Sequence, residues 1–177
     1  MSDILKGTIT DINLYGKMFK CDIELPLNED MSANFELHEF IDPLTRLLIY
    51  NPLLHIMLQT LRTEKKWTII IESLYRGDKY NELVGGEDGS RHKTGSAVDF
   101  KAFVKDRQID PIHVAYALYG LLERFGIQGG IGTYMKAYKK GSLGFNHFDV
   151  RQEPRSLWVC YKSPTLVSIS DLSEIKI

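Results

Sequence analysis

A chain of 177 residues, 44% hydrophobic and 25% charged, can bury one sizeable core, and its length favours one domain over two. Its formal net charge of -1 excludes the basic field that draws nucleic acid or an anionic surface, so a partner of that kind must be held by shape. Two cysteines, Cys21 and Cys160, are too few and too far apart for a disulfide framework and form no CxxC pair; both are read as buried thiols.

Met1 to Lys6 lacks the basic start, apolar run and small-residue cleavage site of a secretion signal. No stretch approaches the roughly 20 apolar residues of a membrane span. A soluble product that starts in the cytoplasm is expected. Residues 8 to 25 alternate loosely through Ile9, Ile12, Leu14, Phe19, Cys21, Ile23 and Leu25 around Tyr15-Gly16-Lys17, which predicts a hairpin, and the polar segment Pro26 to Ser32 reads as a linker. Residues 1–31 are therefore set apart as an appendage, either an extra pair of strands on the main sheet or an arm for a partner. The main domain is expected over 32–177.

From Asn51 the period changes. Asn51 is a good N-cap, Pro52 suits the first turn, and Leu53, Leu54, Met57, Leu58 and Leu61 recur at helical spacing up to Arg62, which predicts a buried helix. The β-branched run Trp67-Thr68-Ile69-Ile70-Ile71 predicts a central strand, leading into Ser73-Leu74-Tyr75-Arg76 and a polar loop from Gly77 to Gly89. Another strand is expected over Ser96 to Phe103. A second helix is predicted from the Asp110 cap and Pro111 to Phe125, with Gly126 as its stop. Gly129-Gly130-Ile131-Gly132-Thr133-Tyr134 then leads into a basic loop with Lys136, Lys139 and Lys140, a strand through His147, and a last strand from Leu157 to Tyr161. Strands flanking helices, with polar groups gathered where strands end, indicate an α+β domain with a mostly antiparallel sheet and flanking helices.

The chemistry concentrates in two stretches. Ser90-Arg91-His92-Lys93-Thr94-Gly95-Ser96-Ala97-Val98-Asp99 sets one imidazole and one carboxylate on either side of Gly95, where the backbone can turn tightly without a Cβ in the way. Phe145-Asn146-His147-Phe148-Asp149-Val150-Arg151 alternates, so that Phe148 and Val150 face one way while His147, Asp149 and Arg151 face the other. Asp99 points away from Val98 and Phe100 and can share a polar face with the His147 strand. Zinc enzymes typically use three protein ligands and leave a position for water, and His92, Asp99 and His147 supply two imidazoles and a carboxylate of that kind. The nitrogen and oxygen mixture suits zinc better than magnesium or calcium. A His-x6-Asp spacing standing alone is a weak signal. His38, His55 and His113 read as capping, solvent-facing or core residues, Gly130-x-Gly132 as a turn, the three lysines as a solvated loop, and Trp67 and Trp158 as core. No Gly-x-Gly-x-x-Gly follows a strand, which excludes a dinucleotide site.

The stretch from Ser90 to Asp99 resembles the Ser-x-His-x-x-Gly-x-Ala-x-Asp signature of the M15 zinc peptidases, the D-alanyl-D-alanine carboxypeptidase and murein endopeptidase family. Asn34-Phe35-Glu36-Leu37-His38-Glu39-Phe40 resembles the opening Phe-x-x-x-Glu-Phe of one branch. Tyr75-Arg76, Asn81 and Val84-Gly85-Gly86 resemble the elements ahead of the signature, while Gly130-x-Gly132-x-Tyr134 and Phe145-x-His147-x-Asp149 resemble its close. The resemblance covers roughly residues 32 to 160. It implies a hedgehog-like, DD-peptidase-like α+β fold, zinc on His92, Asp99 and His147, and peptidoglycan stem peptides as substrates. It further implies that Arg76 lines the substrate cleft, holding a carboxylate or polarising the scissile carbonyl, beside Tyr75 and Ser90. Two departures stand out: Leu74 occupies the place of a usual glycine, and Gly144 stands where other branches carry an acidic residue. A general base must then come from elsewhere, and Asp149, on the same strand face as His147, is the candidate. Its other reading is a group that orients a ligand imidazole or pairs with Arg151. Tyr134 has two readings as well, on a tetrahedral oxyanion or in packing. With no signal peptide read, a phage-type lysin or virion component is the expectation. The alternative is a non-catalytic wall-binding or virion structural module that keeps zinc for stability.

Overall fold

The computed structural model describes residues 4–10, 20–26, 30–32, 34–49, 51–135, 143–162 and 165–176. Strands β1 (Ile4–Thr10) and β2 (Lys20–Pro26) pair antiparallel, Ile4 opposite Pro26 and Thr10 opposite Lys20, as a two-stranded sheet of their own. The expected hairpin strands are there; Tyr15-Gly16-Lys17 and the Cys21 side chain lie outside what is described. The segment read as a linker ends in β3 (Asp30–Ser32), which pairs with β4 (Phe35–Glu36). Contacts cluster the chain into two compact units, residues 1–59 with 71–98 and residues 60–70 with 99–177.

In the first unit, Phe35 and Phe40 are fully buried and meet edge to face at 5.9 Å. His55 packs on both, at 5.6 and 5.3 Å between ring centroids, so of its three sequence readings it fills core. It sits on helix α1 (Pro52–Lys65), whose buried stripe includes Leu54, Met57, Leu58 and Leu61, as the spacing predicts. Asn51 Oδ1 accepts from Leu53 N at 3.0 Å and closes the first turn. Helix α2 (Asp78–Leu83) falls inside the expected polar loop. Six residues with Asn81 alone buried carry no apolar period to read.

Among the described residues the main sheet has seven strands. Its order is β11 (Thr165–Ile169), β10 (Ser156–Lys162), β8 (Gly129–Met135), β9 (Gly144–Val150), β6 (Ala97–Val104) and β5 (Thr68–Ser73), with β7 (Arg107–Gln108) paired to β6. One expectation is corrected. The 67–71 run was expected to be central, but β5 ends the strand order and Ile70 stays 46% exposed. A β-branched run favours extended backbone wherever the strand lies, so composition does not fix its place in the sheet. The sheet, expected to be mostly antiparallel, is mixed. β9 ends level with the start of β8, the chain crosses in residues 151–155, and β10 then runs parallel to β8 with Ser156 opposite Gly130. β11 lies beyond the strand expected to be last, antiparallel to β10.

In the second unit, helix α3 (Pro111–Phe125) has the predicted bounds. Asp110 accepts from Ile112 N at 2.9 Å, and Gly126 closes the helix at φ 64. The helix packs on β8 and β9. Buried Ile131, Asn146, Phe148 and Val150 lie on those strands, and Asn146 donates to Pro111 O at 2.9 Å. Burying a side chain the size of Phe148 contributes about 1.5–3 kcal/mol. Successive strand residues alternate faces, so His147 and Asp149 stand on the face opposite Phe148. Among the described residues no helix is long and apolar enough to cross a membrane. The basic loop residues Lys136, Lys139 and Lys140 lie outside the described residues.

Candidate metal centre

Three strands meet level by level on the face opposite Phe148. Gly130 stands between Asp149 of β9 and Ser156 of β10; Gly132 stands between His147 and Trp158; Tyr134 stands between Phe145 and Cys160. The glycines were expected in a turn, yet they lie inside β8. A Cβ on Gly130 would run into the Asp149 carboxylate and the Arg151 guanidinium, and one on Gly132 would meet the Trp158 indole at 2.5 Å. Both positions hold glycine because large side chains of the flanking strands fill the space above them.

His147 Nδ1 lies 2.9 Å from Asp99 Oδ1, and its Nε2 lies 3.3 Å from Asp149 Oδ2. Asp149 is fully buried and accepts from Arg151 Nε at 2.7 Å and Nη2 at 2.5 Å. Burial alone would disfavour charge on both partners. For His147 the hydrogen bonds to Asp149 and Asp99 outweigh it and raise the imidazole to about 9. For Asp149 the bonds from Arg151 and His147 outweigh it and lower the carboxyl to about 2. Without metal, the imidazolium therefore sits between two carboxylates at neutral pH.

His92 is held by local structure. It lies in a 3-10 turn, Arg91–Thr94, that Gly95 ends at φ 63, the tight turn its lack of a Cβ predicts. The buried imidazole donates from Nδ1 to Leu74 O at 2.6 Å, since a carbonyl can only accept. Nε2 is then the nitrogen with a lone pair to offer. One ligand atom each of His92, Asp99 and His147 lie within 4.8 Å of one another.

Residues 34–118 match the Peptidase M15 family model. The chain resembles the M15 peptidases, as the signature around His92 implies. The M15 match takes in Tyr75, Arg76, Ser90, His92 and Asp99 and stops before Tyr134, His147 and Asp149. No curated protein and no solved structure matches the chain.

Within the M15-like stretch, the segment after β5 is clamped to the His92 turn. Leu74 O accepts the hydrogen bond from His92 Nδ1, Arg76 N donates to His92 O at 3.2 Å, and Tyr75 N donates to Phe40 O at 3.3 Å. Arg76 is half-buried, with Nε donating to Ser73 Oγ at 2.7 Å. Tyr75 is buried, and burial pushes its hydroxyl above the ordinary range. Ser90 is half-buried and leads into the 3-10 turn, its carbonyl accepting from Lys93 N at 3.1 Å. Tyr134 stacks on Phe145 at 4.3 Å, and its hydroxyl accepts from Trp158 Nε1 at 3.3 Å.

Sequence reasoning missed two contributors. Asp42 is fully buried and accepts from Leu44 N, Thr45 N and Gly77 N at 2.8, 2.7 and 2.6 Å, which ties the loop before α1 to the residue after Arg76. Its only signal is an acidic residue before Pro43, ordinary for a turn. Trp158, expected in the core, is half-buried with its ring 5.1 Å from that of His147. Gly130 and Gly132, spaced two apart as on one strand face, are the cue that was available.

Proposed function

We propose that the chain is a zinc peptidase that hydrolyses peptide bonds beside D-residues in the stem peptides of peptidoglycan, on a hedgehog-like, DD-peptidase-like fold. The observation that carries the reading is the grouping of His92, Asp99 and His147 within 4.8 Å. Two imidazoles and one carboxylate suit zinc, and each imidazole has its other nitrogen engaged by an acceptor, Leu74 O for His92 and Asp149 for His147. His92 Nε2, Asp99 and His147 Nδ1 are the donors this arrangement offers. Bound there, zinc supplies a Lewis acid and brings a water towards ionisation near pH 7.

The remaining work falls to the chain. Arg76 meets the substrate, holding a terminal carboxylate or taking up negative charge that develops on the scissile carbonyl oxygen. Tyr75, Ser90 and Tyr134 are assigned to substrate binding with it. Asp149 is assigned to orient His147 rather than to act as general base, because it is fully buried, doubly bonded to Arg151, and ionises at about 2. A base of that strength is poorly matched to a proton acceptor working near neutrality. The same weakness, with Gly144 where other branches carry an acid, favours a second reading: a wall-binding or virion structural module that keeps zinc for stability.

Zinc content and peptidoglycan turnover test the reading together. The wild-type chain should hold one zinc and release peptide from purified peptidoglycan, with chelator abolishing release. His147→Ala should lose both zinc and activity. Full zinc in His147→Ala overturns the ligand assignment, and zinc without turnover favours the structural module.

A further inference from the structure

We infer that Trp158 is a positioning residue for His147, holding the imidazole through the space that Gly132 leaves; the inference rests on His147 being a zinc ligand. Neighbouring strands lie about 4.8 Å apart, so β9 and β10, with β8 between them, are separated by roughly 9.6 Å. The His147 and Trp158 rings nevertheless approach to 5.1 Å between centroids at an interplanar angle of 48°. They lean together over Gly132, which is opposite both of them in register. Any side chain there would separate them.

The contact supplies what the hydrogen bonds lack. Asp99 and Asp149 engage His147 at Nδ1 and Nε2, two atoms that define one line across the ring. Tilt about that line changes neither distance much. A ring packed against the imidazole opposes tilt directly, and Trp158 supplies one, inclined at 48°. The indole is itself fixed, because Nε1 donates to the Tyr134 hydroxyl at 3.3 Å and Tyr134 stacks on Phe145 at 9°. A tryptophan that merely filled core would not need a glycine cut out of the adjacent strand beneath it.

The test uses the full chain, with zinc ion as the ligand. Trp158→Leu removes the aromatic face, and Gly132→Ala keeps Trp158 but pushes it away, since the new Cβ would meet the indole at 2.5 Å. Zinc Kd is measured by competition with a chelating dye, and unfolding of the metal-free proteins by urea. Both variants should weaken zinc binding by about 10 to 100-fold, the usual loss when a group supporting a ligand is removed. Trp158→Phe should recover most of it, and activity should return in excess zinc. A structural role alone would lower the urea midpoint and leave Kd unmoved, which overturns the inference. A second measurement needs no change at Trp158: in Trp67→Phe, where Trp158 is the one remaining tryptophan, emission should shift on zinc addition with the midpoint of the dye competition. Emission unmoved at saturating zinc overturns the inference. Zinc binding that depends on His147 but not on Trp158 defeats this inference alone. Binding that His147→Ala leaves unchanged defeats the zinc reading and this inference with it.

Discussion

Asp149→Asn keeps the shape of a fully buried side chain and removes its charge. In the wild type Oδ1 accepts from Arg151 Nε, while Oδ2 accepts from Arg151 Nη2 and faces His147 Nε2. An amide offers one acceptor atom. Its better orientation puts the oxygen at the Oδ2 position, keeps the His147 and Nη2 contacts, and turns its NH2 against the Nε donor. The surviving bonds pass from ion pairs to bonds between a charged donor and a neutral amide oxygen, and are weaker for it. The depression of the carboxyl from 3.8 to about 2 sets the scale, roughly 2 to 3 kcal/mol of stability in the metal-free protein at neutral pH. Since the folded group ionises at lower pH than the unfolded one, that stability is present above 3.8 and is lost as pH falls through about 2. Urea unfolding of the two metal-free proteins should therefore differ at pH 7 and converge in acid. Zinc affinity should fall about 10 to 100-fold, with activity returning in excess zinc. A variant that binds zinc with wild-type Kd while kcat drops by about 10² to 10⁴ would refute the orienting role and make Asp149 the base. Wild-type Kd with wild-type turnover would leave it neither.

Other perturbations reach separate parts of the account. Arg76→Ala should keep zinc bound and lower kcat/KM about ten to a hundredfold, the worth of one charge-assisted contact of about 1.5–3 kcal/mol; unchanged kinetics on peptidoglycan would make Arg76 structural. Asp42→Ala strands the Leu44, Thr45 and Gly77 amides and should cost about 1–3 kcal/mol in urea unfolding, whereas an unchanged midpoint would mean that water replaces the carboxylate readily. Burial holds the His55 imidazole below its ordinary 6.5, so the unfolded chain takes up this proton first and stability should decline below that pH, by at most about 1.4 kcal/mol per unit. His55→Phe should flatten that slope between pH 7.5 and 5.5; an identical slope in the variant would locate the acid sensitivity elsewhere.

What could be read from the sequence was what local chemistry decides. Asp110, Pro111 and Gly126 bound α3 because capping and chain reversal are settled by a few adjacent residues. The alternation around His147 gave the two faces of β9 for the same reason, and Gly95 its turn. Partner choice was not readable. Nothing in residues 156–162 encodes that β10 pairs in parallel with β8, since that follows from where the chain crosses after Val150. The edge place of β5 and the presence of α2 were hidden likewise, one by a composition that suits any strand and the other by a helix too short to show a period. Trp158 was read as core because hydrophobicity cannot say which neighbour a ring meets. Its meeting with His147 depends on Gly132, a residue of a third strand. Asp149 shows the limit most plainly: the alternation put it beside His147, but its strength as a base depends on Arg151 gripping both oxygens.

Mass spectrometry of muropeptides from purified peptidoglycan, incubated with the zinc-loaded chain and with the chelated chain, tests the central claim most directly. The account predicts new stem-peptide fragments, each ending at a bond beside a D-residue, in the zinc-loaded sample alone. Muropeptides left intact by a chain that carries one zinc per molecule would contradict it.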